Sequence, residues 1–265
     1  MHRVATVSYL NARPLVEGLE SEPDVTIVRQ VPSRLLATLE SGEADLALCP
    51  VIDVQQSRTE LEIVPCGAIA CDGPALTVRL FSRVEAAGVH RVAVDGDSHT
   101  SAALLRILLA DLCPEPPAVV PFEGGADLAD LDAVLLIGDK VVTAPPDPAA
   151  FPHQLDLGEA WKELTGRPFV FAAWLTRAGA RLGDLPDRLD RLRRANRSRL
   201  AAIARRHAAA VGWPEALAER YLTHNLRYEL GPPQLEAIDA FWRRCHQLDI
   251  IHHLRPMKLH GSFIS

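Results

Sequence analysis

The stretch "RVATVSYLNARPL", Arg3 to Leu15, decides how the chain is read. Its first half is apolar and β-branched, the pattern of a buried strand. It then runs into Ser8, Tyr9, Asn11 and Arg13, all able to hydrogen-bond, and stops at Pro14. Open α/β sheets bind their ligands outside the carboxyl ends of strands, where this polar cluster falls. Ser8 and Asn11 offer neutral donors and acceptors, Tyr9 a ring and a hydroxyl, and Arg13 a fork for a carboxylate. A capped turn accounts for the same residues, with Asn11 capping a short helix that begins near Pro14.

Working outward, strand and helix patterns alternate. "VTIVRQ" and "ADLALCPV" read as strands around the helix "PSRLLATLESG", which has Pro32 and Ser33 at its start and Gly42 at its stop. "LEIVPCGAIA" is extended. A second unit follows: the strands "ALTVRLFS", "RVAVD", "AVVPF" and "DAVLLIG", with helices at "TSAALLRILLADL" and "LGEAWKELTG". "RPFVFAAWLTR" leads out of it. The chain then turns helical, with Leu185, Leu189, Leu192, Leu200, Ile203 and Val211 spaced along one helical face up to Gly212. This is an α/β fold of two lobes with a largely parallel sheet: residues 1–75 plus 175–265 form one lobe, and 76–174 an inserted one. The crossovers fall near Ala70–Val78 and Phe169–Leu175, and a ligand would sit in the interdomain cleft.

Further polar groups fall where such a cleft would lie. "DGDSHTSAALLRILL" ends a strand at Asp95 and opens a strong helix with Ser98, His99, Thr100 and Ser101. A helix N-terminus with free amides and hydroxyls holds anions, although ordinary capping needs only one of these hydroxyls. Gly138 and Asp139 follow a buried strand. "ACDGP" puts Cys71 and the flexible Gly73 at the first crossover, where backbone amides could face a ligand or simply turn the chain.

Composition narrows the class. The 265 residues carry a net charge of −6 and are 48% hydrophobic, a soluble globular mix with no basic field for nucleic acid. No apolar run approaches the ~20 residues of a membrane span. The apolar stretch after Arg3 breaks at Ser8 and does not make a signal peptide. Together these point to a cytoplasmic protein. The five cysteines form no CxxC pair and read as buried thiols. His252, His253 and His260 lack metal-site spacing, and no Walker loop or GxGxxG fingerprint is present.

"VSYLNARPL", "GEADLALCPV", "DGDSHTSAALLRILL", "LLIGD" and "LGEAWKELTGRPFVFAAW" occur in an order that resembles the chorismate dehydratase family of the futalosine route to menaquinone. The resemblance covers most of Val4 to Trp174, with "RYELG" extending it weakly. It implies a type II periplasmic-binding-protein fold and a hydro-lyase that converts the dicarboxylate chorismate to 3-[(1-carboxyvinyl)oxy]benzoate and water, with no cofactor or metal. It also implies Asn11 and Ser8 as the catalytic contacts, with Arg13, Cys71, Gly73, Ser98, His99, Thr100, Ser101, Gly138 and Asp139 around the substrate. Two positions depart from the family pattern. His99 stands where arginine is usual, a weaker and pH-dependent group, and Cys71 stands where serine is more frequent. A small-anion solute-binding protein and the dihydroxynaphthoate-forming enzyme of the same pathway share the fold and are the rival readings.

Overall fold

The computed structural model describes residues 1–96, 98–122 and 130–261. Asp97, inside the "DGDSH" turn, lies outside the described residues. Among the described residues two sheets share eleven strands: β1 (His2–Thr6), β2 (Val25–Arg29), β3 (Leu46–Pro50), β4 (Leu61–Cys71), β5 (Val78–Ser82), β6 (Arg91–Asp95), β7 (Ala118–Phe122), β8 (Ala133–Ile137), β9 (His153–Asp156), β10 (Phe169–Arg177) and β11 (Leu226–Arg227). The first sheet runs in the order β11-β4-β10-β3-β1-β2, and the second in the order β7-β6-β8-β5-β9.

Both sheets are mixed. In the first, β2, β1 and β3 are parallel, but β10 runs antiparallel to β3 and to β4. In the second, β7, β6 and β8 are parallel, while β5 is antiparallel to both β8 and β9. The parallel strands have the expected apolar character: β3 and β8 are buried at every residue, as strands covered on both faces must be.

Strand β10 pairs with the first sheet along its length, from Phe169 opposite Cys71 to Arg177 opposite Leu61. The return crossover therefore precedes Phe169, earlier than the expected boundary at residue 175. The outgoing crossover is pinned by one carboxylate. Asp156 accepts from the N–H groups of Ala75 at 2.8 Å and Leu76 at 2.7 Å. It also caps the helix Leu157–Thr165 through Gly158 and Glu159.

The expected C-terminal helix up to Val211 is broken. It runs Leu185–Arg197, then Leu200–His207. Buried Asn196 sets the break: its amide donates to the carbonyls of Pro14 at 3.1 Å and Glu17 at 2.8 Å, tying the helix end to the turn after β1. All five cysteines are buried and unpaired.

Candidate active site

Four parallel strands, two from each sheet, end around one cavity. Val7, Tyr9 and Asn11 follow β1, and Leu48 and Pro50 end β3. Ser98 and Ser101 follow β6, and Ile137 and Gly138 end β8. Thr77 from the outgoing crossover and Tyr221 from the C-terminal helices complete the polar lining. The walls are otherwise apolar, with Phe171, Ile69 and Leu226 among them. Such a cavity leaves a few convergent polar groups to orient a ligand.

The β1 turn delivers Asn11 because Leu10–Ala12 is one tight helical turn with Leu10 and Ala12 buried on its inner side. Asn11 Oδ1 is buried without a hydrogen-bond partner among the described residues. An unmatched buried acceptor costs about 1–3 kcal/mol, and a ligand hydroxyl would relieve it. Ser8 is exposed and does not line the cavity. Arg13 points back along the turn, its Nη2 3.5 Å from the carbonyl of Ser8, so it braces the loop and leaves the cavity walls neutral.

The turn after β6 divides its residues between two tasks. Ser98 caps the helix His99–Leu112, accepting from the N–H of Ser101 at 3.3 Å and sharing a hydrogen bond with its hydroxyl at 3.1 Å. Both serines line the cavity at the positive end of that helix. Thr100 and His99 instead reach across to the other lobe. Thr100 Oγ1 accepts from the N–H of Ile52 at 3.2 Å. His99 Nδ1 lies 2.7 Å from the fully buried carboxylate of Asp53. That partnership raises the imidazole pKa above its ordinary value, with burial opposing it. Burial is also the largest influence on Asp53 and raises its pKa, with His99 pulling the other way.

Gly138 adopts φ +76, and a Cβ there would meet the Tyr9 ring at 3.1 Å. Glycine thus lets the Tyr9 ring pack close against the chain at the end of β8. Asp139 lies behind it, accepting from the N–H of Leu10 at 3.4 Å. Burial raises its carboxyl to about 6. Cys71 is buried at the end of β4, its thiol pushed up to about 12 by burial, and it faces Gly158 rather than the cavity. Gly73 has φ +127 with nothing close to it.

Nothing in the local sequence marked Thr77 or Tyr221, whose hydroxyls share a 2.6 Å hydrogen bond. Tyr221 opens a single π-helical turn, Tyr221–Asn225, a feature often found at functional sites. Its ring stacks on Trp213 with centroids 4.9 Å apart.

The model for menaquinone biosynthesis proteins matches residues 2–247. A chorismate dehydratase of Thermus thermophilus is 32% identical over 249 residues, which cover 88% of this chain and 91% of that protein. The chain belongs to the menaquinone biosynthesis family. Among solved structures, an Archaeoglobus fulgidus protein superposes with a TM-score of 0.69 at 16% identity, covering 94% of this chain and 98% of its own. The alkanesulfonate-binding protein of Xanthomonas axonopodis pv. citri superposes at 0.64 and 16% identity, covering 97% and 95%. At that identity these two speak for the fold alone, and the fold is the periplasmic-binding-protein type expected from the sequence. In this menaquinone biosynthesis protein the cavity lies between the two sheets, at their strand ends.

Proposed function

We propose that the chain is a hydro-lyase that removes water from chorismate. The observation that carries this reading is the cavity itself. It is mostly apolar, with a helix N-terminus on one side and the Asn11 acceptor on another. The Thermus thermophilus dehydratase supplies the substrate's name.

Chorismate carries two carboxylates and a C4 hydroxyl on a ring one elimination short of aromatic. Loss of the C3 proton and the C4 hydroxyl completes the aromatic ring, so the bond changes themselves drive the reaction. The protein's part is to hold and orient. Ser98 and Ser101, with the helix N-terminus behind them, suit a carboxylate. The C4 hydroxyl can donate to Asn11 Oδ1. A neutral amide there orients the leaving group and cannot titrate near neutral pH. Among the described residues no histidine or carboxylate lines the cavity. The substrate's own enolpyruvyl carboxylate, held over C3–H, fills the role of general base, and good positioning of this kind is worth about 7–11 kcal/mol.

Among the described residues no helix is long and apolar enough to cross a membrane, and we place the activity in the cytoplasm. Purified protein incubated with chorismate should yield a product lighter by one water on mass spectrometry. A solute-binding protein of the same fold would return chorismate unchanged.

A further inference from the structure

Tyr221 is remote in sequence from every motif of the site, yet it lines the cavity beside Asn11 and Thr77. Its hydroxyl meets that of Thr77 at 2.6 Å, and Asn11 lines the same cavity. The three come from separate parts of the chain: the turn after β1, the outgoing crossover and the C-terminal π turn. The position of each is fixed independently. Asp156 holds the crossover two residues before Thr77, and Trp213 backs the phenol ring.

From this juxtaposition we infer that Tyr221 is a catalytic residue, the proton donor to the departing C4 hydroxyl, with Thr77 orienting its O–H. The inference rests on the dehydratase reading above. Hydroxide is a poor leaving group, and a donor held beside it supplies the proton as it departs. Burial is the main cause that raises the Tyr221 pKa. The nearby Asp139 and Cys71 act in the same direction, and Thr77 and Asn11 oppose it. The phenol therefore stays protonated across the physiological range and is always ready to donate. An ordinary phenol is a far stronger acid than water. Transfer to a departing hydroxide is downhill even after burial has weakened the acid.

The step balances. The C3–H bond breaks and its electron pair completes the ring. The C4–O bond breaks with its pair on oxygen, which takes the Tyr221 proton and leaves as water. The C3 proton, collected by the enolpyruvyl carboxylate, returns to the phenolate, downhill from a carboxylic acid to a phenol. Tyr221 is restored, and the sum is chorismate to the carboxyvinyl ether and water.

The test compares Tyr221→Phe with wild type on two substrates: chorismate, and its analogue with fluorine in place of the C4 hydroxyl. Fluoride leaves as a stable anion and needs a proton far less. The expected result is a fall in kcat on chorismate of about 10²-fold or more, the scale of a lost general acid. KM should be little changed, and the loss on the fluoro analogue should be at least about tenfold smaller. Equal losses on both substrates would show that the hydroxyl only shapes the cavity, and no loss on chorismate would remove its role altogether. Either result overturns the inference while leaving the dehydratase reading intact. A wild-type protein that leaves chorismate untouched overturns both. If Tyr221→Phe does not fold by circular dichroism, Thr77→Val serves instead. It should show the same split between substrates at about tenfold on chorismate, and equal losses would again count against the inference.

Discussion

Asn11 Oδ1 is a buried acceptor left without a partner in a wall that is otherwise satisfied or apolar. Replacing Asn11 by alanine removes an oriented contact to the leaving hydroxyl, so kcat should fall by about 10²-fold while chorismate still binds. Asn11→Asp should do at least as much harm, because it sets a carboxylate beside a dianion. Steady-state rates together with calorimetric binding separate the two effects, and a near-normal kcat in folded Asn11→Ala would reduce the turn to a structural feature. Ser101→Ala should weaken chorismate binding about tenfold, the worth of one hydrogen bond to a charged group. Unchanged affinity with a lowered melting temperature would make Ser98 and Ser101 caps only. Much of this scale was legible in sequence. Asn11, Ser98, Ser101 and Gly138 all reach the cavity from motifs that announce strand ends and helix starts. Thr100 and His99 face other partners, because a helical turn sends successive residues to different sides, and Cys71, at the end of β4, packs against Gly158. Tyr221 and Thr77 left no local signal, since their meaning lies in a contact between residues 144 apart in the chain.

At the scale of elements, the first crossover shows how tightly the lobes are joined. A Cβ at position 158 would fall 2.6 Å from Cys71 Sγ and 2.7 Å from the Gly73 carbonyl. The Gly158→Ala chain should therefore lose about 1–3 kcal/mol, as overpacked sites do, seen as an earlier midpoint in denaturant unfolding. An unchanged midpoint would mean the crossover gives way easily. The buried strands β3 and β8 and the helix beginning at His99 were readable from their apolar runs and caps. Strand β9, "HQLD", was not, because an edge strand of polar residues carries no such run. The break after Arg197 was hidden as well: apolar spacing continues on both sides of it. Its cause is Asn196 binding carbonyls some 180 residues away.

The whole molecule is closed by contacts from lobe to lobe, and one of them titrates. His99, after β6 of the second sheet, meets Asp53, after β3 of the first, and both pKa values are raised. The folded protein then holds more protons than the unfolded chain. By linkage its stability falls as pH rises. The His99 contribution is complete below the unfolded histidine value of about 6.5 and is lost as pH climbs through the raised folded value. Melting temperatures from pH about 6 to about 8.5 should show this decline in wild type. His99→Arg, which does not titrate there, should lose that part of it; an identical slope in the variant would place the pH dependence elsewhere.

The central claim is that this cavity dehydrates chorismate and leaves its enolpyruvyl ether intact. Proton NMR of chorismate mixed with the purified protein tests it in one experiment. The ring signals should give way to those of a meta-substituted benzoate, with the two vinyl protons of the side chain retained in equal proportion. A spectrum that shows bound but unaltered chorismate, or an aromatic ring that has lost its enolpyruvyl group, would contradict the account.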